Sequence, residues 1–284
     1  MLKQTFDPDM FWQSKFTSHL LAYVNTHPRL TRFLGNWLLI YTLAKRDIQV
    51  RYRRSVIGIF WAILDPLFFL GVFAVLRAFL GISTGDMPYL VFTFSGLIPW
   101  TLFLTIVNAC APSIMSNASI LKKMILPREI FLLIGAITAV FDFLMSLLVM
   151  FLMMLFYRVH FTWYLLWLPF LVGLLVILAL GMGMYVAAYG IFRRDYIKIS
   201  AYVFQLLFFL SPIFYPIDAV PQFLRQVYVF NPLVGLLEGF RSVLGAGKMP
   251  DLLLLAYALP TIIIVFVIGW IAFREKSPYF TDVL

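Results

Sequence analysis

Two carboxylates interrupt otherwise apolar runs: Asp65 in "IFWAILDPLFFL" and Asp142 in "AVFDFLMSLL". An ionisable group inside hydrocarbon is costly, so each is a functional candidate. Three readings stay open for them: a proton relay, a buried hydrogen bond to a neighbouring helix, or a neutral acid. Pro66 follows Asp65 and leaves a carbonyl one turn earlier without its donor, so a kink is expected there. The second feature is a basic cluster, Arg51, Arg53 and Arg54, set directly before an apolar run. Other chemistry is harder to build. His19, His27 and His160 lie far apart, without ligand-like spacing or the makings of a nucleophilic triad, and no metal site is expected. A single cysteine, Cys110, excludes an internal disulfide or a thiolate-rich centre. The string "GAGKMP" at 245–250 lacks the spacing and the hydroxyl of a phosphate-binding loop, so the chain is not expected to hydrolyse ATP or to bind a cofactor.

The elements that must position these residues follow from composition. The chain has 284 residues, 63% hydrophobic, 18% aromatic and 12% charged, too few polar groups to cover a water-soluble surface. The bilayer must therefore act as solvent for most of it. The opening stretch "MLKQTFDPDMFWQSK" lacks the apolar core of a signal peptide, so no removal is expected. Six segments are long and apolar enough to cross: 56–80, 91–115, 129–157, 163–191, 198–215 and 252–273. Between the last two, 216–250 is broken by Pro216, Pro221 and Pro232, which predicts short outer or re-entrant helices instead of a span.

Charge placement predicts orientation. Of the 22 basic residues, 17 fall before residue 55, in 116–128, at Arg193, Arg194 and Lys198, or at Arg274 and Lys276. The positive-inside rule then puts both termini and those loops in the cytoplasm. The net charge of +9 thus reads as a topology signal and not as a nucleic-acid surface. Residues 30–54 carry Leu30, Phe33, Leu34, Trp37, Leu38, Tyr41, Ala44 and Ile48 at helical spacing, with Leu39 and Leu43 on the polar side. Such a stripe predicts an amphipathic helix along the inner membrane surface, or one packed against other spans. The chain is expected to be one membrane domain, with a cytoplasmic tail at 1–29 and another at 274–284. Two compact cytoplasmic loops are candidate docking points. One, 117–131, opens with the capping residues Asn117 and Ser119 and predicts a short helix. The other is the charged turn "FRRDY", 192–196. Both also fit ordinary basic loops obeying topology. Glycines at 181, 183, 235 and 239 allow close helix approach.

These motifs occur in a distinctive order: "RYRRSVIGIFWAILDP", "SGLIPWTLF" at 95–103, "LKKMILPREIF" at 121–131, "FRRDY", "SPIFYP" at 211–216 and "NPL" at 231–233. From about residue 30 onward the chain resembles the membrane subunit of type-2 ABC exporters, in the branch that moves lipid-linked O-antigen, capsule or teichoic acid chains. The resemblance implies an all-α fold of six spans, with an N-terminal interfacial helix and short re-entrant helices before the last span. It implies a homodimer in the bacterial cytoplasmic membrane, working with two copies of a separate ATP-binding subunit that carries the ATP and magnesium. The coupling helix maps onto Ser119, Ile120, Leu121, Lys122, Lys123, Met124, Ile125, Leu126 and Pro127. A second cytoplasmic contact maps onto Phe192, Arg193, Arg194 and Asp195. The implied pathway runs between the subunits, lined largely by the first, second and fifth spans. Asp65 departs from the pattern, since relatives often carry an apolar or aromatic residue there. Two other readings are weighed beside this one: a type-2 exporter of a drug, lipid or other small amphiphile, and a proton-coupled carrier or membrane-embedded enzyme using Asp65 and Asp142.

Overall fold

The computed structural model describes residues 28–53, 60–80, 87–123, 127–222 and 228–283. Among them every regular element is helical. In chain order these are α1 (Pro28–Arg53), α2 (Trp61–Leu80), α3 (Tyr89–Ser116), α4 (Ala118–Lys123) and α5 (Glu129–Phe156). A 3-10 turn at Trp163–Trp167 leads into α6 (Leu168–Gly190), followed by α7 (Asp195–Phe209), α8 (Pro232–Leu244) and α9 (Leu252–Lys276). The described chain closes with a 3-10 turn, Ser277–Tyr279, and α10 (Phe280–Val283).

Among the described residues four helices are long and apolar enough to cross a membrane: α3, α5, α6 with its preceding turn, and α9 with its continuation to Val283. The other two expected spans are also helical among the described residues. The fifth, expected at 198–215, is α7, which has 15 residues. At 1.5 Å per residue that is roughly 22 Å, short of the ~30 Å hydrocarbon layer. It stops because Ser211 and Pro212 turn the chain back, with the Ile213 amide donating to the Ser211 carbonyl at 2.8 Å. The first, expected at 56–80, is described from residue 60 as α2, which carries Pro66 inside it. Its flank is loosely covered, with Phe68 74% and Phe79 82% exposed.

The core is built on α3 and α6. α3 packs on α5 and α6, and α6 packs on α9. Glycine permits the closest of these crossings. A Cβ on Gly269 of α9 would lie 1.9 Å from the Gly181 carbonyl of α6, and one on Gly183 would lie 2.3 Å from the Cys110 Sγ of α3. Dispersion between touching backbones and packed side chains is what holds helices together where lipid removes the hydrophobic drive. Gly235 likewise lets α8 meet α9, whereas Gly239 faces the Leu171 side chain.

α8 explains two of the sequence motifs. Asn231 caps it, its Oδ1 accepting from the Leu233 amide at 3.1 Å, and Pro232 takes the first helical position, where no amide donor is required. "NPL" is therefore a helix start. The helix inserts between α3, α6 and α9, and all but two of its residues are buried.

The N-terminal helix packs on α5. Among its described side chains Ile40, Leu43 and Ala44 are buried, while Trp37, Leu38 and Tyr41 stay exposed. Leu43, placed on the polar side by periodicity, faces the protein. Both flanks of α1 are apolar in this stretch, so one flank meets α5 and the other is left uncovered.

Candidate functional site

At one end of the bundle, α4 leaves α3 directly. Asn117 does not cap α4 with its side chain as expected. Its Nδ2 donates to the Ser113 carbonyl at 2.8 Å, and its Oδ1 accepts from Arg46 Nη2 of α1 at 2.9 Å. The Asn117 carbonyl instead starts α4, accepting from the Ile120 and Leu121 amides at 3.0 Å each. α4 presents two faces: Leu121 is buried, while Ser119 and Lys122 are exposed. Of the expected coupling helix 119–127, α4 covers residues through Lys123. Pro127 follows exposed, and Met124, Ile125 and Leu126 lie outside the described residues.

The turn 192–195 sits at the same end. Arg193, Arg194 and Asp195 are exposed, and Asp195 lies in the first turn of α7, where a carboxylate favours the helix dipole. The Phe192 ring packs on Phe280 of α10 at 5.8 Å, and Phe280 is fully buried against Phe273 as well. α10 also touches α4, and Arg128 Nη2 donates to the Pro278 carbonyl at 3.4 Å. The two expected docking points are thus tied to one scaffold. The final segment, expected only as a tail, is what joins them.

The basic cluster and the intramembrane acids meet in part. Arg51 of α1 forms an ion pair with Asp142 of α5. Asp142 lies roughly 20 Å along α5 from its first residue, so the end of α1 reaches well along that helix. The pair borders a cavity of about 410 Å³ that also exposes Trp61, Phe69, Thr101, Thr105 and Ser146. Arg53 is the last residue of α1 and Asp65 lies in α2, but their side chains, and Arg54 altogether, lie outside the described residues.

A second charged centre was not singled out by sequence. Arg241 of α8 is 4% exposed and pairs with Glu238 one turn earlier. Its Nη2 donates to the carbonyls of Pro212 and Ile213, the latter at 3.3 Å. Its guanidinium carbon stands 3.8 Å over the centre of the Phe92 ring. A Cβ on Gly96 would lie 3.0 Å from Nη2, so glycine opens the space that the guanidinium fills. The arginine thereby ties "SPIFYP" to α8 and α3. The available signal was two charges, Glu238 and Arg241, inside the apolar run "GLLEGFRSVL". Nearby, the Tyr215 hydroxyl donates to the Phe209 carbonyl at 3.0 Å and bonds the Tyr228 hydroxyl at 2.8 Å. Burial, then that bond, pushes the Tyr228 phenol above its ordinary range, so it stays protonated.

Aromatic packing joins the three elements that correspond to the first, second and fifth expected spans. Phe73 of α2 stacks on Phe214 at 5.8 Å, Phe208 of α7 meets Trp100 of α3 at 5.5 Å, and Phe204 meets Phe103 at 5.8 Å. Among the described residues no cluster of His, Cys, Asp and Glu has the arrangement of a metal site.

The bundle, with helices long and apolar enough to cross a membrane, is that of a membrane protein. The family described as ABC-2 type transporter matches residues 38–244, and the chain belongs to that family. Among curated relatives, the chain is 27% identical over 227 residues to the O-antigen export system permease protein RfbA of Myxococcus xanthus, covering 78% of this chain and 86% of the relative. A protein of the same name from Klebsiella pneumoniae is 26% identical over 251 residues, covering 87% of this chain and 95% of the relative. The polysialic acid transport protein KpsM of Escherichia coli is 24% identical over 252 residues, covering 84% and 93%.

Proposed function

We propose that this chain is the transmembrane subunit of an ATP-driven exporter that moves lipid-linked polysaccharide, O-antigen or a similar surface glycan, across the bacterial inner membrane. The observation that carries it is the similarity, over most of both chains, to permeases named for O-antigen export and polysialic acid transport. In this reading six spans form each subunit, two subunits form the pathway, and both termini face the cytoplasm. ATP and magnesium sit on two copies of a separate ATP-binding subunit.

Physical chemistry supports the division of labour. A hydrated polymer cannot enter hydrocarbon, because its hydroxyls would lose water without replacement. Aromatic surfaces with scattered polar groups offer weak, repeated contacts along which a chain slides, where a deep pocket would hold it. On the cytoplasmic side, α4 and the 192–195 turn present Ser119, Lys122, Arg193 and Arg194 outward from one scaffold, a geometry that suits a partner pushing on both at once. Deleting the gene tests the cargo. Loss of surface polysaccharide with lipid-linked chains accumulating inside is the expected outcome. Intact surface glycan with altered sensitivity to drugs would instead favour a small amphiphile as cargo.

A further inference from the structure

The face formed by α6, α7 and α9 carries a further feature. α7 rests on α6 and α3, while the glycine crossing pulls α9 tight against α6. Between α7 and α9 this leaves a groove of about 500 Å³, floored by Gly181 and Tyr185 and walled by Val203 and Ile268. Its surface is almost wholly hydrocarbon. The one hydroxyl of a serine there, Ser200, is spent on the Ile197 carbonyl at 2.9 Å, so it offers no donor to an occupant.

The groove ends on a different chemistry. Tyr196 lines it and also lines a second hollow of about 500 Å³, bounded by Tyr189, Arg193, Lys276, Tyr279 and Asp282. Tyr185, Tyr189 and Tyr196 form a ladder across the junction, with ring centres 5.1 and 5.6 Å apart. Arg193 and Lys276 bring two positive charges against the single carboxylate of Asp282. Tyrosine rings mark the depth where membrane helices meet headgroups, and basic residues there attract anionic lipids. From Tyr196 to Leu207 the groove follows α7 for roughly 16 Å, about the depth of one leaflet of a ~30 Å hydrocarbon layer.

We infer that this continuous groove is a binding site for one phospholipid of the cytoplasmic leaflet, with an anionic headgroup on Arg193 and Lys276 and an acyl chain along Tyr185, Val203 and Ile268. Amphipathic matching carries the assignment: one end is basic and polar, the other apolar, and the length is that of a lipid tail. The site would fix α7 against α9, which direct packing leaves apart. The inference stands on the groove and does not depend on which cargo is exported.

The test follows the unfolding midpoint of the purified full-length chain in detergent as phosphatidylglycerol or phosphatidylcholine is added. Phosphatidylglycerol should stabilise at about tenfold lower concentration, the effect of two basic contacts. R193Q combined with K276Q should abolish that preference and keep the response to phosphatidylcholine. V203W, or I268W should the first fail to fold, should blunt the response to both lipids. Equal response of the unaltered chain to the two lipids would overturn the inference, as would a preference that survives in R193Q/K276Q. Unchanged lipid responses in the groove-filling variants would overturn it too. Two more outcomes count against it: loss of the oligomer in V203W, which would make the groove a subunit interface, and displacement of phosphatidylglycerol by equimolar polyprenyl phosphate, which would assign the site to a carrier lipid.

Discussion

Two arginine–carboxylate pairs, Arg51–Asp142 and Glu238–Arg241, use the same chemistry in opposite settings. The first joins separate helices, and its side chains keep 44% and 26% of their exposure. The second lies within one helix and keeps 4% for the arginine and 19% for the glutamate. Where water fills the cavity beside it, the first pair is screened and contributes little. A buried one costs several kcal/mol to desolvate and depends on every donor finding an acceptor. Arg241 meets that condition at its two terminal nitrogens, with Glu238 and two backbone carbonyls, and lies over the Phe92 ring, while its Nε is buried without a hydrogen-bond partner. The comparison teaches that the 212–213 turn is held by several contacts of one buried arginine, whereas Arg51 and Asp142 hold each other with more of their surface exposed.

The largest effect should come from breaking the buried pair. R241M leaves Glu238 and two backbone carbonyls without their buried partner, and should cost about 3–5 kcal/mol, read as a lower unfolding midpoint in detergent. A loss as small as that of R51Q would erase the distinction. G96A comes next. Its methyl would meet Arg241 Nη2 at 3.0 Å and the Ile213 carbonyl at 3.1 Å, neither with room to retreat. It should cost about 1–3 kcal/mol by overpacking. A stabilised G96A would show that the guanidinium is free to move.

R51Q and D142N should each cost about 1 kcal/mol or less. The exchange R51D/D142R should recover part of that loss in unfolding measurements. D142N also sharpens function. Export that persists in it, at any pH where the unaltered chain works, removes proton relay as a role for Asp142. The smallest stability change belongs to K122E/K123E in α4, where Lys122 is exposed. Its midpoint should be unchanged while the ATP-binding subunit no longer co-purifies. Unchanged co-purification and coupled hydrolysis would count against α4 as a docking helix.

The same contrast separates what the sequence revealed from what it hid. Apolar length located the long helices closely: 91–115 became Tyr89–Ser116, and 129–157 became Glu129–Phe156. Length is a local property, and so are caps such as Asn231. Facing is not local. α1 has apolar residues on both flanks, and only α5 decides that Leu43 turns inward. The reach of α7 is set by Pro212 and by the partner that receives the turn after it. Arg241 did not stand out, because its acceptors at 212 and 213 are distant in sequence and its space is cut by Gly96. The Arg51–Asp142 pair was hidden in the same way, although both residues had been marked individually.

Reconstitution tests the central claim most directly. The chain and its cognate ATP-binding subunit are placed in vesicles with lipid-linked polysaccharide on the subunit-facing side. Appearance of polymer on the opposite side is then followed with and without ATP. Translocation that requires ATP, the partner and intact Lys122 and Lys123 is the predicted result. Translocation without the partner, or none with every component supplied, would contradict it.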